Sequence, residues 1–265
     1  MATTYVQVQA EPLTVAPRYS VLLFTDTELI EAGQRLRREV LTDECGYTAA
    51  GTGFDADSFD DHCVHVLVRD NRTEELVGCA RILPTGGVFA TGGLYAAKSF
   101  DLTALDPLRL SLLEWGHAVV RADHRNGAVL MMMWSAILDY ADRYGYDHLF
   151  GCITVPTHPL GSVPGAQVRA VRDFMRRDFA TPDCYAVHPY RPVVIDGVPL
   201  DDMPLDTAAV SDSPVPALVR GYLRLGARVC GEPAHDPLFG VAHFPTLLRT
   251  GRFDGGSVLN RTDGW

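Results

Sequence analysis

The segment from Leu108 to Tyr144 limits the fold more than any other part of the chain. Leu108–Val120 (LRLSLLEWGHAVV) is apolar enough for a buried strand, and it runs through RADHRNG directly into Ala128–Tyr144, an apolar-periodic helix that Gly145 closes. A strand that enters a helix through a short turn aims the first backbone N–H groups of the helix, which lack intrahelical acceptors, at whatever occupies the turn. Such a turn suits a phosphate. Gly127 and Ala128 would let it approach the amides closely, with Asn126 beside them, and Arg121 or Arg125 would add charge. Several groups must share this work, because a helix dipole alone contributes only about 0.3–1 kcal/mol.

The elements around this segment read as an α/β sandwich. Tyr19–Thr25 predicts a strand, and Asp26 a cap for the helix TELIEAGQRLRREVLTDE. GYTAAGTGFDADSFDD is too rich in glycine and aspartate for a regular element. His62–Arg69 and Glu75–Leu83 predict a hairpin across the Asp70–Thr73 turn, followed by a partly helical connection over Pro84–Pro107. Beyond Tyr144, the pattern predicts a strand over His148–Val155, a basic-faced helix over Gln167–Phe179, little regularity over Thr181–Ser213, a helix over Pro216–Ala227 and a strand over Phe239–Arg249. Because the hairpin joins neighbouring strands directly, a doubly wound sheet is excluded.

Composition narrows the function. The 265 residues are 47% hydrophobic and 21% charged, which suits a packed core. A formal charge of −10 opposes a general nucleic-acid binder, whose affinity depends on clustered cations. Lys98 is the lone lysine among 23 basic residues, so arginine abundance reads as coding bias and only arginine placement is informative. No apolar run reaches the roughly 20 residues of a membrane span, and Met1–Pro17 lacks the pattern of a secretory signal, so the expected location is the cytoplasm, with peripheral membrane contact left open. The six cysteines form no C-x-x-C pair, and the histidines are too irregularly spaced for a metal site, so none is expected.

The blocks LRREVLTDECGY, DSFDDHCVHVLVRD, LVGCARILPT, GGLYAAKSFDL, LEWGHAVVRADHRNGAV and YDHLFGC together resemble, in this order, the acyl-carrier-protein-dependent amino-acid N-acyltransferases of GNAT type, nearest the ornithine N-acyltransferases that make lyso-ornithine lipid. The likeness spans Arg37 to Cys152, with a weaker echo in GYLRLGARVCGEPAHDPLFGVAHF. It implies a mixed central sheet flanked by helices, with a C-terminal extension. The expected boundaries are a lead-in over 1–17, one GNAT-like domain over 18–250 with an insertion around 156–215, and a tail over 251–265. The same blocks resemble the related acyl-homoserine-lactone synthases. Against that family's pattern Arg37, Asp57, Asp60, Arg81 and Glu114 fall on matching positions, whereas His117 stands where both families usually place arginine.

The resemblance implies transfer of a fatty acyl group from the phosphopantetheine thioester of acyl carrier protein, or of coenzyme A, to the amine of an amino acid such as ornithine, with no tightly bound cofactor. Thioester attack needs a neutral amine, and an amine of pKa near 8 is only about a tenth neutral at pH 7, so a base is required. Glu114 is the expected base, its alternative being a carboxylate paired with Arg81 or Arg37. The strand amides near Val119 and Val120 are expected to support the thioester oxygen, and the Arg121–Ala128 turn the donor phosphate. His117 reads either as a substrate contact or as a structural histidine; Asp57 and Asp60 read as acceptor contacts or as a solvated acidic loop. Arg121, Arg125, Arg169, Arg172, Arg176 and Arg177 are expected to face the acidic carrier. Two other classes stay open: a synthase or acetyltransferase using coenzyme A thioesters or S-adenosylmethionine, and a non-catalytic module that binds an acyl carrier or lipid.

Overall fold

The computed structural model describes residues 17–45, 55–159, 161–204 and 217–250. In chain order these form β1 (Tyr19–Phe24), α1 (Thr27–Cys45), β2 (Val64–Asp70), β3 (Leu76–Leu83), α2 (Thr85–Thr91), β4 (Phe100–Asp101), β5 (Leu112–Val120), α3 (Ala128–Tyr144), β6 (His148–Pro156) and α4 (Ala166–Asp178). There follow β7 (His188–Pro189), β8 (Val194–Ile195), β9 (Val198–Pro199), α5 (Ala217–Arg224), β10 (Arg228–Val229), β11 (Ala234–Asp236) and β12 (Val241–Arg249). The chain divides into two compact units: residues 1–94 with 113–145, and residues 95–112 with 146–265.

In the first unit the sheet runs β1-β2-β3-β5, each neighbour antiparallel. Asp26 caps α1 as its sequence predicts, its carboxylate accepting from Glu28 N–H at 3.0 Å. One face of the sheet carries α1, whose Ile30, Leu36 and Val40 pack with Phe24, Leu67 and Cys79. The other face carries α3. Trp134 of this helix meets Trp115 of β5 with ring centroids 4.6 Å apart, and Val129 approaches so closely that a Cβ on Gly78 would stand 2.6 Å from its side chain. Gly145, at φ 75°, ends α3 with its N–H on the carbonyls of Ala141 and Asp142.

In the second unit the sheet runs β6-β12-β10, with β11 also on β12 and all pairs antiparallel. Two-stranded ribbons join β4 to β7 and β8 to β9.

Several boundaries differ from expectation. The strand predicted from His62 begins at Val64, because Asp60–His62 is a 3-10 turn held by the buried Asp60. The strand predicted from Leu108 begins at Leu112, because Thr103–Leu108 winds into a 3-10 segment. Thr181–Ser213 is more regular than predicted where it is described. Asp196 and Gly197 both adopt positive φ and fold Val194–Ile195 onto Val198–Pro199 as a hairpin. Residues 46–54 of the acidic loop, the lead-in through residue 16 and the tail from 251 lie outside the described residues.

Candidate active site

Helical spacing puts Gln34 and Arg37 on one side of α1, and the alternation of β3 turns Arg81 to the same side. Both guanidinium groups converge on Asp60. Arg37 Nη2 donates to Asp60 Oδ1 and Oδ2 at 3.1 and 3.0 Å, Arg81 Nη1 to Oδ1 at 2.9 Å, and Gln34 Nε2 to Oδ2 at 2.9 Å. Arg37 Nε also reaches Asp55 at 3.0 Å, and Arg81 grips Asp57 through two parallel bonds of 2.8 and 2.9 Å. The backbone carbonyl of Asp60 accepts from His65 Nε2 at 2.9 Å.

Asp60, Arg37 and Arg81 are only 1%, 2% and 3% exposed. Burial alone would push the Asp60 carboxyl up, yet Arg37 and then Arg81 hold it well below the usual carboxylate range. Burial likewise opposes the charge of Arg81, and its hydrogen bonds to Asp57 together with the charges of Asp57 and Asp60 outweigh that, leaving its pKa raised. The Cys63 thiol is pushed up to about 12, first by burial, and it feels the charges of Arg81, Asp60, Asp57 and Glu114 together. Glu114 therefore shares this neighbourhood. Four carboxylates, Asp55, Asp57, Asp60 and Glu114, stand against the two guanidinium groups, a formal excess of two negative charges.

β5 is broken at the point that faces this cluster. Gly116 lies opposite Arg81 and Val119 opposite Cys79, so His117 and Ala118 together face Ala80. This two-against-one pairing is a β-bulge, and His117 occupies it at φ 52°. Residues opposite one another in an antiparallel pair share a face. Glu114 opposite Leu83, Gly116 opposite Arg81 and Val119 opposite Cys79 thus all point to the α1 side, which unbroken alternation could not achieve. The bulge also swings His117 toward the same side, where its Nε2 lies 3.8 Å from Asp57 Oδ2. The His117 side chain is 21% exposed, whereas Glu114 is 6% exposed.

The third part is the turn into α3. Residues 125–128 are exposed, and Gly127 takes φ 86° with open space where a Cβ would stand. Arg125 Nε donates to the Val120 carbonyl at 3.0 Å, which folds its side chain back over the turn. Asn126 Oδ1 accepts from Ala128 N–H at 3.1 Å. The mouth of the helix is thus open to solvent, with one of its free amides already capped by the turn itself.

Except for Gln34, these residues fall within 36–135, the stretch that matches the acetyltransferase (GNAT) domain family. Over 247 residues the chain is 32% identical to the L-ornithine N(alpha)-acyltransferase of Rhodobacter capsulatus, covering 88% of this chain and 90% of that protein. The corresponding protein of Brucella abortus is 30% identical over 241 residues, covering 86% and 83%. The chain belongs to the L-ornithine N(alpha)-acyltransferase family. Among solved structures, FeeM, an N-acyl amino acid synthase from uncultured soil microbes, aligns with a TM-score of 0.49 at 14% identity, covering 89% of this chain and 92% of that one.

This N-acyltransferase thus brings together Arg37, Asp57, Asp60, Arg81, Glu114 and His117, six residues singled out from the sequence. Three partners escaped that reading. Asp55 carried a legible signal, since it begins D-x-D-x-x-D. Gln34 did too, one helical turn before Arg37. His65 looked like any inward residue of an alternating strand. The four arginines of α4 expected to face the acidic carrier each have a carboxylate neighbour, with Arg176 and Arg177 still 71% exposed. Arg172 is buried against Asp173, Asp201 and Glu232, Arg176 reaches Glu232, Arg177 pairs with Asp178, and Arg169 lies near Asp173. Among the described residues, no helix is long and apolar enough to cross a membrane.

Proposed function

We propose that this enzyme moves a fatty acyl group from the phosphopantetheine thioester of acyl carrier protein to the α-amine of ornithine or a similar cationic amino acid. The observation that carries the acceptor class is the negative excess around Arg37 and Arg81: a site with two carboxylates more than guanidinium groups attracts a cation. Asp60 is engaged on both oxygens and buried, so its part is to fix the two arginines. Asp57, held by Arg81 but 27% exposed, can still meet the substrate.

In this reading the donor phosphate rests on the turn at Arg125–Ala128. The amine nitrogen attacks the thioester carbonyl carbon, the carbon–sulfur bond breaks, and the pantetheine sulfur leaves as a thiol after gaining a proton. Glu114 takes the proton lost by the amine, and His117 contacts the acceptor beside Asp57. The amide that the bulge removes from the regular β3 ladder, close to the expected Val119 and Val120, donates to the developing oxyanion. Relatives named for ornithine support the acceptor, and the open turn supports a phosphate-bearing donor.

The test is to incubate the pure protein with long-chain acyl carrier protein, or with long-chain acyl-coenzyme A, and a panel of amino acids, reading products by mass spectrometry. N-acyl-ornithine from the carrier-protein arm is expected. Product only from coenzyme A thioesters would replace the donor, preference for a neutral amino acid would replace the acceptor, and no N-acyl product in any arm would overturn the reading.

A further inference from the structure

The donor turn is tied to the start of β1 by a chain of hydrogen bonds that the reaction itself does not require. Asn126 Nδ2 donates to Tyr19 Oη at 3.4 Å, and Tyr19 Oη lies 3.1 Å from His124 Nδ1. Tyr19 and His124 are both buried, their rings edge to face at 5.8 Å. The direction of the first bond is fixed by the turn itself. The Asn126 carboxamide must turn its oxygen to Ala128 N–H, so its NH2 faces Tyr19. Tyr19 Oη and His124 Nδ1 share the next hydrogen bond; Nδ1 also lies 3.9 Å from Asp70 Oδ2, and His124 Nε2 lies 3.6 Å from Asp123 Oδ2. Below them the buried Asp70 accepts from Arg18 Nε at 3.0 Å and from Arg72 N–H at 2.9 Å, and Arg18 sits over the Tyr19 ring.

We propose that Tyr19 and His124 are positioning residues for the acyl donor: they lock the Asn126 carboxamide on the first amide of α3, so that the donor phosphate meets a turn already in its binding shape. This rests on the donor-turn reading above. Without the Tyr19 hydroxyl the exposed Asn126 side chain is held only through Ala128 N–H, and donor binding must complete its ordering. Immobilising one such side chain costs about 0.7–1.4 kcal/mol, which is about a threefold to tenfold loss of affinity.

The experiment compares wild type, Tyr19→Phe, His124→Phe and Asn126→Ala in steady-state transfer from acyl carrier protein to ornithine, with thermal midpoints measured alongside. The expected result for Tyr19→Phe is a donor KM raised about threefold to tenfold, with kcat and the ornithine KM within about twofold of wild type. Asn126→Ala should raise the donor KM at least as far, and adding Tyr19→Phe to it should bring little further change, because the hydroxyl acts through that carboxamide. An active wild type whose Tyr19→Phe donor KM is unchanged, or whose kcat and ornithine KM move equally, overturns the positioning role alone. A wild type inactive with every donor overturns both this role and the functional reading.

Discussion

Two parts of the first unit handle charge in opposite ways. Around Asp60 the polar side chains are buried and paired with one another; Arg37, Arg81 and Gln34 saturate one carboxylate. At the turn before α3, Arg125, Asn126, Gly127 and Ala128 are all exposed. Asp60, buried and engaged on both oxygens, has no acceptor left for a ligand and serves to hold strands and helix in one register, while Asp57 at the edge of the cluster stays 27% exposed. An open turn contributes little to the fold but keeps donors available. The difference separates residues that shape the site from residues that bind, which sequence position alone does not do.

The sharpest way to break this contrast is Asp60→Ala. It leaves Arg37 and Arg81 buried with less compensation, and the expected loss is about 3–5 kcal/mol of stability in urea denaturation. A loss below about 1 kcal/mol would place Asp60 with the open, binding class instead. Next in size is Glu114→Gln, which should lower kcat roughly 100-fold or more while the urea midpoint moves little; unchanged turnover would remove Glu114 from the chemistry. Arg125→Ala at the turn should raise the donor KM by about tenfold and leave stability within about 0.5 kcal/mol. Gly127→Ala should cost about 1–2 kcal/mol in folding, because its φ of 86° strains any L side chain even though the space is open.

The smallest effect expected near neutrality is a pH dependence that belongs to the sealed region. Burial lowers the pKa of His65, so the unfolded chain binds a proton that the folded one refuses, and stability should decline as pH falls below about 6.5. His148 and His235, also lowered first by burial, act in the same window. Asp60 adds a second stage: its folded pKa is depressed, so its contribution is present above about pH 4 and lost at more acid values. Denaturation midpoints at successive pH values should therefore fall in two steps, and His65→Gln should flatten the first.

Much of this was legible in the sequence, and unevenly so. Ala128–Tyr144 is a helix over the expected residues, because its apolar period and the closing Gly145 agree. Arg37, Asp57, Asp60 and Arg81 were recognisable as a group only through the resemblance. Their mutual pairing was not, since it joins positions up to 44 residues apart, from Arg37 to Arg81, through a loop with no periodicity of its own. The bulge at His117 was equally hidden, because LEWGHAVV reads as an unbroken strand and nothing in it marks the residue that leaves the ladder. The hairpin at Asp196–Gly197 was visible in principle: an Asp-Gly pair flanked by Ile195 and Val198 is a turn signal that the surrounding prolines obscured.

The extra residue at His117 makes β5 a strand with two phases. Exchanging the histidine for another side chain leaves that offset in place. Deleting it would leave Ala118 alone opposite Ala80, so Glu114 and Gly116 would keep their places opposite Leu83 and Arg81 while the backbone that stands outside the β3 ladder would be lost. What hangs on chain length here is therefore the exposed stretch of backbone beside the arginines, not the direction in which Glu114 faces.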